Sequence, residues 1–192
     1  MVFGTKITQL RLERNYGEAV RFLQAQLAQF HDVSDYDKAK TQVALAFTQR
    51  LAGDTAGAKL TAEQARNTLE LPRSDPPDNR LRAVRAAALS QAYAAMGEKD
   101  AALKTAERAV IVLPRAKDAM DGPGAEENLA LIQTTFGENN RAISILTQLL
   151  QTPYNSWLYP RVITPAFLRM DPVWDPLRSD PAFQKLCEEK KP

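Results

Sequence analysis

Three glycines set the frame within which this chain folds. Gly53, Gly97 and Gly137 each stand eight residues after a leucine (Leu45, Leu89, Leu129) and five before an alanine (Ala58, Ala102, Ala142). A small residue follows each leucine, at Ala46, Ser90 and Ala130. A small or aliphatic residue comes seven after each alanine, at Ala65, Ala109 and Leu149. Near the start, "ERNYGEAVRFLQAQL" puts Ala19, Leu23 and Gln26 in equivalent places, with Arg14 where the glycine would stand. Arg14, Gly53, Gly97 and Gly137 are 39, 44 and 40 residues apart. Self-similarity at such a period marks a repeat architecture.

The physical unit is a helix–turn–helix pair. A glycine supplies positive φ at the end of the first helix, and the following alanine begins the inner stripe of the second. Ala102, Ala106, Ala109 and Leu113 fall at helical spacing on one face. Their small side chains let two helices approach closely. Neither helix of a pair buries its apolar side alone, so the units must stack. Helices are expected at about 5–13, 17–31, 35–52, 55–70, 78–96, 99–113, 124–136 and 139–151. Ser34 and Asp54 mark helix starts, and "LPRSDPPDN" (71–79) and "AKDAMDGPG" (116–124) read as the two long turns, open to hinging or proteolysis.

These units resemble the tetratricopeptide repeat family over roughly residues 5–153. Leu89, Tyr93, Gly97, Ala102, Ala109 and Pro114 of one unit fit the family's pattern. The units here exceed the usual repeat of about 34 residues, and Gln42, Ala86 and Glu126 stand where the family carries a large aromatic. The resemblance implies an all-α fold, a right-handed α-α superhelix of about four helix pairs. It also implies a concave groove, lined by the first helices, where peptides bind. The residues expected on that side are Lys40, Val43, Phe47 and Arg50, then Ala87, Gln91 and Ala94, then Glu127, Leu131 and Thr134. Lys40 lacks matching cations from later units and Glu127 opposes an acidic peptide, so a clamp for a peptide's C-terminal carboxylate is not expected.

Residues 154–192 break the period. Four X-Pro pairs (Thr164-Pro165, Asp171-Pro172, Asp175-Pro176, Asp180-Pro181) each offer a capping oxygen followed by a proline suited to the first helical position. Pro165 is expected to begin a helical turn, Pro172 and Pro176 tight turns, and Pro181 a last helix. Trp174, Leu177 and Phe183 are read as a cap over the last repeat's apolar face, giving an array over 1–153 and a capping segment over 154–192. "LRMDPVWDPLRSDPAFQKL" also resembles the ending of bacterial multidomain regulators in which such repeats follow a kinase, winged-helix or cyclase domain. That resemblance implies that this chain is the C-terminal part of a larger signalling protein.

Chemistry is sparse by comparison. His31 is the only histidine and Cys187 the only cysteine, so an intrachain disulfide is impossible, Cys187 has no histidine near it in sequence to act as a base, and no metal-ligand partners cluster around His31. The bland roles fit better: a histidine at a helix end and a half-buried thiol. Glu126 and Glu127, adjacent and so not facing one substrate, read as favourable charge in a helix's first turn. "DGPG" (121–124) has no phosphate-loop lysine. Arg80, Arg82, Arg85, Arg108, Arg115 and Lys117 form a basic stretch, but net charge is only +2 and aromatics are 7%, unlike a nucleic-acid binder. The expectation is a non-enzymatic scaffold with a protein or peptide partner, without cofactor, metal, nucleic acid or membrane insertion. It is expected in the cytoplasm, or outside it where a parent chain is anchored. Two alternatives stay open. One is self-association into oligomers. The other is a ligand-sensing array closing on a small effector, favoured by a deep pocket lined by Phe47 and Tyr93.

Overall fold

Four turns in the chain are built the same way. In the computed structural model, which describes residues 2–31, 33–71, 78–159 and 162–188, Gly53, Gly97 and Gly137 have φ of 85°, 84° and 76°. Arg14 is the one non-glycine residue with positive φ among the described residues, at 55°. The amide after each turn residue donates to a carbonyl five residues back: Asn15 to Leu10, Asp54 to Gln49, Glu98 to Tyr93 and Glu138 to Gln133, each at 2.9 Å. The turn residue's own amide reaches three back, at 3.0 to 3.2 Å. This paired pattern ends a helix while using its last carbonyls. The opening unit therefore makes the turn without the glycine, and its arginine takes the left-handed conformation.

The turns separate four helix pairs. These are α1 (Val2–Leu12) with α2 (Tyr16–Ala28), α3 (Asp35–Leu51) with α4 (Thr55–Glu70), α5 (Asn79–Met96) with α6 (Lys99–Val112), and α7 (Gly122–Thr135) with α8 (Asn139–Leu149). Ser34 accepts from the Asp37 amide at 3.1 Å and Asp54 from the Gly57 amide at 2.8 Å, as their positions led one to expect. No strand occurs among the described residues. Consecutive helices pack on each other, and α5 also contacts both α3 and α7, so these three first helices form one layer. Ala58, Ala62 and Ala65 of α4 and Ala102, Ala106 and Ala109 of α6 are fully buried. These stripes are the seams along which the pairs close.

The stretch around 121–124 differs from the expected turn. Gly122, Pro123 and Gly124 are the buried first turn of α7. Proline is tolerated there because its missing N–H has no helical partner. The glycines answer to space: a Cβ on Gly122 would lie 2.8 Å from the Arg115 amide nitrogen, and one on Gly124 would run into the Trp157 indole. Gly122–Gly124 are thus a packed junction, while residues 115–117 and 119–121 form turns as expected, with Ala116, Lys117, Ala119 and Met120 exposed. Because α7 starts early, Glu126 lies beyond its first turn and pairs with Arg115 instead. Of the other expected long turn, residues 72–77 lie outside the described residues.

The C-terminal segment carries α9 (Pro165–Met170), a 3-10 helix (Pro172–Leu177) and α10 (Pro181–Leu186). Thr164, Asp171 and Asp180 cap them through the amides of Phe167, Val173 and Ala182. Pro176 does not start a turn of its own; it lies inside the 3-10 helix. Asp175 is no cap, and its carboxylate accepts from Arg14 and Arg178. Trp174, Leu177 and Phe183 are buried in one cluster with Ala142, Leu146 and Leu149 of α8 and Leu131 of α7. The segment also reaches the opposite end of the array. Arg11 Nε of α1 donates to both Asp171 oxygens, at 3.1 and 3.0 Å, and Arg14 bonds Asp175 at 2.7 and 2.9 Å. Arg11 further stands 5.6 Å over the Tyr159 ring. The row of pairs is thereby bridged from its first helix to its last.

Candidate functional site: a cavity closed by the C-terminal segment

Glu127 holds the closing loop in place. Expected on the groove side, it is instead wholly buried beneath residues 154–158. Its carboxylate accepts from the Tyr154 hydroxyl (3.0 Å), the Ser156 hydroxyl (2.8 and 2.9 Å) and the amides of Trp157 (2.8 Å) and Leu158 (3.3 Å). No cation is among these partners. Burial pushes the carboxyl above its ordinary range, and the hydrogen bonds pull the other way. The correction has a simple cause. The aperiodic segment packs over α7, and a buried polar group survives only where its bonds are made.

Folding this loop against the inner layer leaves a cavity of about 500 Å³. One wall is α3, through Tyr36, Lys40, Val43, Phe47 and Leu51; another is α5, through Arg80, Val84 and Gln91. Arg11 of α1, Leu131 of α7, and Trp157 and Val173 of the closing segment complete it. So Lys40, Val43, Phe47, Gln91 and Leu131 are brought to one space, as is Ala87. Arg50, Ala94 and Thr134 are absent from the lining, as is Tyr93, whose hydroxyl bonds Glu70 on the other side of its helix. Gln91 is oriented by Asn128 at 2.8 Å, which in turn donates to Ser90 at 2.9 Å.

The lining contains three cationic side chains and no carboxylate. Arg11 is held by Asp171, and Arg80 pairs with Asp121 at 2.9 Å. Lys40 has no partner among the described residues. The Tyr36 hydroxyl, one turn before it, is buried without a hydrogen-bond partner, and burial pushes its pKa up to about 12. Tyr36 could have been found by extending the Lys40–Val43–Phe47 row one turn back. Arg11 and Trp157 could not, because they enter from outside the repeat period.

Two more residues of the basic stretch are occupied structurally. Arg85 donates to the carbonyls of Leu69 and Leu71 at the end of α4, and Arg115 pairs with Glu126. His31 lies exposed beyond the end of α2. Cys187 is half-buried at the end of α10, and burial pushes its thiol up, away from the reactive thiolate. Among the described residues no group of three or more His, Cys, Asp or Glu side chains is placed to hold a metal, and no helix is long and apolar enough to cross a membrane. Comparison with protein-family models, curated proteins and solved structures returned no significant match.

Proposed function

We propose that the chain is a non-enzymatic, effector-responsive binding module: a tetratricopeptide-like right-handed superhelix whose C-terminal segment closes the concave side around a small molecule. The observation that carries this reading is the largely apolar cavity of about 500 Å³ between the inner helices and the C-terminal segment, open to solvent on one side. A cavity of this size, largely apolar with a few polar groups, suits a small ligand. The exposed Leu60 of α4 and Ile111 of α6 leave the outer helices for a protein partner, consistent with the interaction half of a larger bacterial regulator.

The test is a thermal-shift screen of the purified chain against a library of small metabolites, in parallel with Val84→Trp, which narrows the cavity from the α5 wall. Ligands that raise Tm in the wild type and not in Val84→Trp support the reading. Peptides that bind both proteins equally, with no small molecule shifting Tm, would return the module to the protein-scaffold class.

A further inference from the structure

The shape and charge of the cavity narrow what it takes, provided the effector reading above holds. Along α3 its lining runs from Tyr36 to Leu51, fifteen residues or about 22 Å at 1.5 Å per residue. The cavity of about 500 Å³ is thus elongated along α3, with α5 and the closing segment flanking it. Its middle is apolar, with Val43, Phe47, Val84, Leu131 and Leu158 contributing. At the Tyr36 end, Lys40, Arg80 and Leu81 are exposed and mark a mouth. Asp121 already balances Arg80, whereas Lys40 offers an ammonium with no partner among the described residues. No acidic side chain lines the slot to meet a cationic ligand or repel an anionic one.

We propose that the slot binds an elongated amphipathic anion, a straight-chain carboxylate of medium length, with its head group at Lys40 and its chain along Phe47 toward Leu51. A doubly charged ligand has no second unpaired cation in the lining to meet, because Asp171 holds Arg11 and Asp121 holds Arg80. A peptide's C-terminal carboxylate shares the head-group chemistry but brings backbone amides, for which the apolar middle offers few partners.

The experiment is isothermal titration of the intact chain with three probes of equal chain length: decanoate, decanol and decyltrimethylammonium. Decanoate is expected to bind about ten-fold tighter than decanol, and the cation weakest, with the gap shrinking as salt is added. Lys40 is exposed, so Lys40→Ala should fold normally. It should weaken decanoate about five- to ten-fold and leave decanol unchanged, and Lys40→Arg should restore the difference. Val84→Trp should abolish binding of all three. Equal affinities for decanoate and decanol, or a Lys40→Ala variant that still prefers decanoate, would overturn the anion proposal while leaving a cavity that binds neutral effectors. Tighter binding of a decanoyl-free hydrophobic peptide than of decanoate would also overturn it. If none of the three probes binds, the proposal fails, and the effector reading then rests on the library screen alone.

Discussion

At the scale of single residues, Glu127 and Gly124 fix the closing loop from below. Glu127→Ala leaves the Tyr154, Ser156, Trp157 and Leu158 donors facing a void, and is expected to cost about 3–5 kcal/mol. Glu127→Gln keeps one oxygen for the two amides and gives an NH₂ that the two hydroxyls can accept, so its cost should be about 1 kcal/mol. The two variants also separate by pH. The folded Glu127 pKa lies above the unfolded value of 4.5. Its contribution is therefore complete below that value and is lost as pH rises through the folded pKa. Urea denaturation should show the deficit of Glu127→Gln shrinking as pH rises above about 4.5. A constant deficit would mean that the carboxyl does not titrate in this window. Gly124→Ala drives a methyl into the Trp157 indole, and a loss of about 1–3 kcal/mol is expected by the same measurement.

At the scale of elements, the alanine stripes decide how closely the pairs seat. Ala106→Leu adds three carbons at a fully buried seam between α5 and α6, and should destabilise by about 3 kcal/mol in chemical denaturation. The stripe was legible in the sequence because every member lies on one helical face and the same spacing recurs in the next unit. The turns were legible for the same reason, down to Arg14, which local preference alone would not have chosen. What the sequence did not disclose depends on contacts across large separations. "DGPG" carries the residues of a turn, yet its glycines are selected by the Arg115 backbone and an indole 33 residues away from Gly124. Glu127 sits on the helix face that a regular array would expose, and it is buried because an aperiodic loop lies over it. Six of the ten expected groove positions, Lys40, Val43, Phe47, Ala87, Gln91 and Leu131, share one cavity because periodicity orders the inner layer. The wall that turns the groove into a cavity follows no period.

At the scale of the whole molecule, the contacts from Arg11 and Arg14 to the C-terminal segment change how the fold should melt. An open array of repeats unfolds piecewise, because each unit touches only its neighbours. Here Asp171 is fully buried against Arg11 of the first helix, so the ends are coupled. Asp171→Ala strands a mostly buried guanidinium and should cost about 3 kcal/mol. Arg14→Ala removes only an exposed pair and should cost under about 1 kcal/mol. Amide exchange of α1 should accelerate together with that of α9 in Asp171→Ala; acceleration confined to the C-terminal segment would show that the bridge is energetically idle. Removing residues 164–192 uncovers Leu146 and Leu149, and the shortened chain should melt earlier and sediment as aggregates. An unchanged melting temperature would assign those residues a role other than packing.

The bridge from Arg11 to Asp171 spans 160 positions in the chain. A ribosome adds about 5–20 residues per second, so the first helix waits roughly 8–30 s after its own synthesis before its partner exists. Throughout that interval the newborn helices have no closing wall. A product truncated before residue 164 would keep its inner surface open to chaperones and proteases, which makes residues 164–188 a checkpoint on the helices made before them.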